Sequence, residues 1–342
     1  MGWRSGIAAS VSLTVAMLGA QPALAAHPGQ NGKIAFLRTP PTDARDLAQD
    51  GGMEPEAVAA PPADLAVVEP DRSGQRRLIR RVQSASFSPD GTRLVLLRPS
   101  GEGSALIVAD ADGRSLKVLA RRGDHRWAQF SPDGRQILFA RVDSGRRSLE
   151  RLFESETPRG WSRRLARVRW GLYAIGVDGT AMRRIVSLRG ALLGGIRWSP
   201  DGSRIAAVRL TPRASEIVSV NPQDGTVARI KAFGERHGVV VGGVDFSPRG
   251  NQLAFNLVSG RPGIHVMGVD GSGLRRLPRT RLHDSEPVWS PDGRLIAFTR
   301  PSRRGLIGLS HVYTTPASGG RLTRLTREHA NAVPASWQPL PV

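Results

Sequence analysis

One short motif recurs along this chain and restricts its fold more than any other feature. Five segments open on an aromatic residue followed by Ser-Pro and pass through Gly into an apolar run. They are FSPDGTRLVLLR from Phe87, FSPDGRQILFAR from Phe130, WSPDGSRIAAVR from Trp198, FSPRGNQLAFNL from Phe246 and WSPDGRLIAFTR from Trp289. A sixth copy is split: Trp337-Gln338-Pro339 supplies its start, and NGKIAFLR from Asn31 its continuation. The repeat prolines Pro89, Pro132, Pro200, Pro248, Pro291 and Pro339 are spaced by 43, 68, 48, 43 and 48 residues. Ser-Pro-Asp-Gly is a tight turn, because Pro presets φ at the first corner and Gly takes the left-handed position. A second turn follows within several repeats, at Asp112-Gly113, Asp178-Gly179 and Asp270-Gly271, so each unit holds four short strands. Units of that length and content are propeller blades. The expected fold is therefore an all-β, six-bladed β-propeller with four-stranded antiparallel blades. Pairing of the N- and C-terminal strands would close the ring and remove its open edges.

At these residues the chain resembles the TolB-like β-propeller family, whose repeat reads Trp/Phe-Ser-Pro-Asp-Gly-x-x-Ile-Ala-Phe. The resemblance runs from Asn31 to Pro339 and departs from the pattern at Arg249 and Gln338. It covers the propeller alone, without the α/β domain that precedes it in TolB. The resemblance implies the fold but does not carry over the Tol–Pal role.

Composition narrows the function classes. The chain has no cysteine, which excludes disulfides, thiolate metal sites and a cysteine nucleophile. Net charge is +20, with Arg far outnumbering Lys, which favours anionic partners. The start of the chain decides which. A short leader with Arg4, an apolar run from Ile7 to Gly19, and Ala23-Leu24-Ala25 form a secretory signal peptide cut after Ala25. The domain plan is thus a signal peptide at 1–25 and a propeller at 26–342. The protein is placed outside the cytoplasm, periplasmic or secreted, as a monomer with no membrane span. A protein or an anionic cell-envelope polymer is the expected partner. Nucleic acid is not, and most aromatics are absorbed by the repeat rather than free to stack on bases.

Two insertions break the repeat, at about 39–63 and 143–169. Both connect the second and third strands of a blade, so both fall on the face opposite the Ser-Pro-Asp-Gly turns. The first is acidic, with Asp43, Asp46, Asp50, Glu54 and Glu56. The second is basic, and Ser148 to Phe153 has helical spacing with Leu149, Leu152 and Phe153 on one side. Long loops on a rigid scaffold supply specificity that uniform turns do not. Trp161, Arg163, Arg164 and Trp170 are therefore the candidate binding residues.

Catalytic motifs are missing: there is no Gly-x-Ser-x-Gly, no His-Glu-x-x-His and no EF-hand loop. Four histidines, His125, His237, His283 and His329, lie in the crossings between blades. Resemblance to TolB-like lyases that hold a divalent metal through His in the axial funnel makes them candidate ligands for Mn²⁺ or Zn²⁺. They precede the following aromatic by 5, 9, 6 and 8 residues and share no register. The favoured reading is a non-catalytic binding or scaffold protein without a cofactor. The alternative is a metal-dependent lyase or hydrolase acting on an anionic glycan.

Overall fold

A computed structural model describes residues 28–39, 63–101, 103–121, 123–153, 158–234, 241–302, 309–327 and 331–341. The segment read as a signal peptide and nearly all of the acidic insertion lie outside these residues. The chain opens with β1 (Gln30–Thr39), β2 (Ala63–Val68) and β3 (Arg76–Val82). Four antiparallel sheets follow. The first is β4 (Ser84–Phe87), β5 (Arg93–Ser100), β6 (Gly103–Asp110) and β7 (Lys117–Ala120). The second is β8 (His125–Phe130), β9 (Gln136–Val142), β10 (Arg169–Gly176) and β11 (Arg183–Arg189). Between β9 and β10 it carries α1 (Arg146–Phe153) and α2 (Pro158–Leu165). The third is β12 (Leu192–Trp198), β13 (Ile205–Leu210), β14 (Ser215–Val220) and β15 (Val227–Phe233). The fourth is β16 (Val241–Phe246), β17 (Gln252–Leu257), β18 (Gly263–Gly268) and β19 (Arg275–Arg276). The chain ends with β20 (Ser285–Trp289), β21 (Leu295–Pro301), β22 (Ser310–Pro316), β23 (Thr323–Arg324) and β24 (Asn331–Leu340).

The fold is an all-β propeller, but the expectation of six blades is corrected. Four four-stranded blades form, not six, and the remaining eight strands make one sheet. In it β20 to β23 join a β24-β1-β2-β3 run through parallel pairing of β22 with β24 at Ser310 and Asn331. The cause is local. The Ser310 hydroxyl bonds the Asn331 side chain and also donates to the Ala332 carbonyl at 3.1 Å, so strand pairing runs on where a gap was expected. Within this sheet β1 lies antiparallel to β24, from Gln30 opposite Leu340 to Thr39 opposite Asn331.

Turn chemistry explains the repeated corner. Ser131 Oγ donates to Asp133 at 2.5 Å and accepts from the Gln136 N–H at 2.9 Å. Ser88, Ser199 and Ser290 do the same in their own turns. Where Arg249 replaces the aspartate, Asn251 accepts the Ser247 hydroxyl instead, at 3.0 Å. The motif aromatics Phe87, Phe130, Trp198, Phe246, Trp289 and Trp337 are all buried between sheets. Six apolar clusters, each drawn from neighbouring units, form the core.

Candidate functional site

The basic insertion is an αα-hairpin clamped onto the second and third blades. Leu149 and Leu152 from α1, Leu165 from α2 and Val168 beyond it are buried in one cluster with Trp127, Trp170, Leu192 and Leu193. That packing fixes the helices on the rigid sheets rather than leaving them as a free loop. The Arg164 guanidinium donates to the Arg151 carbonyl and ties α2 to α1. At its base, the Tyr173 hydroxyl donates to Asp143 at 2.9 Å, and Arg141 pairs with the same carboxylate at 2.9 Å.

The four candidate binding residues separate on this frame. Arg163 is exposed on α2, and Arg164 is half-buried by its bond to α1. Trp161 is half-buried, with its indole packed against the cluster beneath. Trp170 is fully buried on β10, its ring 5.6 Å from that of Trp127. Further arginines missed as candidates share the surface: Arg147, Arg151, Arg167, Arg169 and Arg189 are all exposed. Arg169 stands directly opposite Arg189 across β10 and β11, a like-charge pair that costs stability unless an anion offsets it.

Of the four candidate metal ligands, His125 and His283 lie among the described residues. His125 is buried on β8, where its Nδ1 donates to the Ser104 carbonyl at 2.8 Å and its ring meets Phe139 edge-on. Burial pushes its imidazole below the ordinary value, so it is neutral at pH 7. His283 is exposed just before β20, with φ of 70°. His237 and His329 lie outside the described residues. Among the described residues no group of three His, Asp or Glu side chains could hold a metal ion.

The inner strands carry polar residues that the motif reading passed over. In three inner strands the residue before the motif aromatic reaches the next unit. Ser336 accepts the Phe87 N–H at 3.4 Å, and Asp245 accepts the Trp289 N–H at 2.7 Å. Arg197 occupies the same position on β12 and lies 3.5 Å from Asp245. Three residues before the aromatic, β8, β12 and β20 each bulge. Trp127, Gly195 and Glu286 stand there with φ of 51°, 49° and 54°. Glycine takes that conformation freely, whereas Trp127 and Glu286 are held in it by their surroundings. Aligning the inner strands on the aromatic is the sequence signal that would have exposed Glu286, which sits where β12 and β16 have Gly195 and Gly243.

Residues 161–340 match the family model for the TolB beta propeller domain, more than half of the chain. The chain belongs to the TolB β-propeller family. This TolB-type chain is 32% identical over 277 residues to the Tol-Pal system protein TolB of Anaeromyxobacter sp. (strain K), covering 78% of this chain and 59% of that protein. It is also 32% identical over 220 residues to TolB of Anaeromyxobacter dehalogenans (strain 2CP-1 / ATCC BAA-258), covering 62% of this chain and 47% of that protein. The TolB-type match thus spans about half the length of these relatives. The crystal structure of TolB from Acinetobacter baumannii superposes with a TM-score of 0.67 at 16% identity, covering 90% of this chain and 67% of that one. Among the described residues no helix of this TolB-type chain is long and apolar enough to cross a membrane.

Proposed function

We propose that the protein is an extracytoplasmic, non-catalytic binding scaffold of the TolB type. Residues 1–25 serve as its export signal, and a protein partner docks on the face that carries α1 and α2. The Tol-Pal names of the relatives support binding of a protein outside the cytoplasm. The observation that carries the site is the hairpin itself. The hairpin and the adjoining ends of β10 and β11 present Arg147, Arg151, Arg163, Arg167, Arg169 and Arg189 to solvent, and none of these side chains pairs with an acid among the described residues. Exposed guanidinium groups on a packed frame suit carboxylate-rich protein surfaces, and such contacts speed association and depend on salt. Half-buried Trp161 supplies an apolar anchor beside them. The test is site-specific photocrosslinking in intact cells, with the probe placed at Arg163 and, on the opposite face, at Met182. A discrete acidic protein captured at Arg163, and lost in R167E/R169E, supports the reading. Capture at Met182 alone overturns it.

A further inference from the structure

Among the described residues five large apolar side chains are exposed: Leu116, Met182, Leu274, Leu282 and Leu340. Single apolar residues scattered over a surface are ordinary. Three of these five share one position. Leu116 precedes β7, Met182 precedes β11 and Leu274 precedes β19, each directly before the outermost strand of its sheet. Their corners are built alike. The N–H groups of Gly113, Gly179 and Gly271 return to the carbonyls of Asp110, Gly176 and Gly268 at 2.9, 2.8 and 2.9 Å. The residue after each apolar one, Lys117, Arg183 or Arg275, stands opposite Val108, Ala174 or Val266.

The backbone turns these side chains outward. Ser115, Ala181 and Gly273, directly before them, take left-handed φ of 52°, 51° and 60°. Glycine adopts that conformation freely, whereas Ser and Ala do not. The corner between β22 and β23 supplies the contrast. It has the same hydrogen bond, from Gly319 to Pro316, and the same register, with Thr323 opposite Thr314. There Arg321 is not left-handed, and Leu322 packs onto an apolar cluster. In the other three corners the left-handed residue sends the apolar side chain to solvent, at a conformational cost that burial does not offset. Leu340 ends β24 at the same end of the sheets, where Gln338 and Pro339 lie against Gly91 of the first Ser-Pro corner.

Charge completes the pattern. Met182 and Leu274 are each followed by two exposed arginines, Arg183-Arg184 and Arg275-Arg276, against one corner aspartate. At Leu116, Arg114 and Lys117 balance Asp110 and Asp112. The corner aspartates are tied to their own backbone: Asp178 accepts the Thr180 N–H at 2.9 Å and Asp270 that of Ser272 at 3.0 Å. Every turn between strands at this end lies among the described residues. Protein hot spots gather their anchors in one patch, but these anchors stand on three different sheets. Separate apolar side chains at equivalent heights, each beside a cation, fit a partner that admits them one by one.

We propose that the turn end of the propeller docks on an anionic lipid surface. Leu116, Met182 and Leu274 enter the interfacial region, and Lys117, Arg183 and Arg275 meet lipid phosphates. Docking of this kind lies in the interface and needs no membrane-spanning segment. It leaves α1 and α2, at the other end of the sheets, facing away from the lipid. The proposal thus goes beyond the partner reading and does not depend on it.

The chain has no cysteine, so a single introduced one can carry a polarity-sensitive dye. The mature chain with M182C, or with L282C before β20 as the control at the opposite end, is mixed with vesicles of phosphatidylglycerol and phosphatidylcholine, or of phosphatidylcholine alone. Dye emission is expected to shift to the blue at M182C only, and only with phosphatidylglycerol. In vesicle sedimentation K117Q/R183Q/R275Q should lose on the order of 100-fold in partitioning, at about fivefold per cation. L116S/M182S/L274S should lose roughly tenfold or more. All six side chains are exposed, so urea midpoints should stay near wild type. R183Q/R275Q, with a loss of about 25-fold, is the second variant should a triple fail to fold. Absence of sedimentation with phosphatidylglycerol, a shift at L282C instead of M182C, or partitioning that L116S/M182S/L274S leaves unchanged overturns the proposal. A shift at M182C given by soluble polyphosphate but not by vesicles overturns it too.

Discussion

Truncating Trp337 to alanine tests whether the paired chain ends hold the last sheet together. Trp337 lies on β24 opposite Ile34 of β1 and is 3% exposed. Its cluster joins both ends of the chain to the preceding strands: Ile34, Phe36, Ala66 and Val68 on one side, Val288, Ala297, Val312 and Leu325 on the other. The indole Nε1 has no hydrogen-bond partner among the described residues, so the change strands no acceptor and removes apolar contact alone. Removing a buried indole costs about 3–5 kcal/mol, through lost transfer energy and the cavity left behind. W337F keeps an aromatic that the chain already uses at Phe87, Phe130 and Phe246, and should cost about 1 kcal/mol. Leu340, at 38% exposed, is the control: L340S should stay within about 0.5 kcal/mol of wild type. Urea unfolding followed by tryptophan fluorescence and far-UV circular dichroism reads all three. If W337A loses less than 1 kcal/mol, the closing strand does not bear the load assigned to it. A separate early transition that leaves the other sheets unaffected would show the same.

The turns give three further expectations. In the arginine-bearing turn, N251A should cost about 1 kcal/mol by stranding the Ser247 hydroxyl, and R249D/N251A should recover most of that loss in urea midpoints. Gly202 and Gly91 share a left-handed φ near 70°, but a Cβ at Gly202 meets nothing closer than 3.9 Å, while one at Gly91 would lie 2.0 Å from the Pro339 carbonyl oxygen. G202A should thus cost about 1–2 kcal/mol from backbone strain alone, with G91A clearly worse by thermal melting. The Ser199 hydroxyl, and then the Ser203 N–H, hold the Asp201 carboxyl below its ordinary value. That stabilisation is present above the unfolded carboxylate value and is lost as pH falls through the lower folded one, so S199A should flatten the acid limb of a stability–pH curve below about pH 4.

How much of this was legible in the sequence depends on the range over which each feature is decided. The Ser-Pro-Asp-Gly corner is local: Ser, Asp and Gly close their own hydrogen bonds within five residues, so the turns and the buried aromatics before them could be read from the string. The merging of the last eight strands was not legible, because it turns on Ser310 meeting Asn331, which no repeat position announces. The basic insertion lay between these extremes. Leu149 and Leu152 gave away a helix, whereas the depth of Trp170 follows from its place on β10, where it packs against Trp127 of β8. The buried charges of the inner strands were hidden for a different reason. A repeat trains attention on the residues that recur, and Arg197, Asp245 and Glu286 are the departures. Serine at the position before the aromatic needs only a neighbouring N–H or carbonyl, while a charge placed there must find its counter-charge on the next strand. A strongly repetitive propeller therefore concentrates its individual chemistry at positions where one unit differs in charge from its siblings and the adjacent unit differs to match.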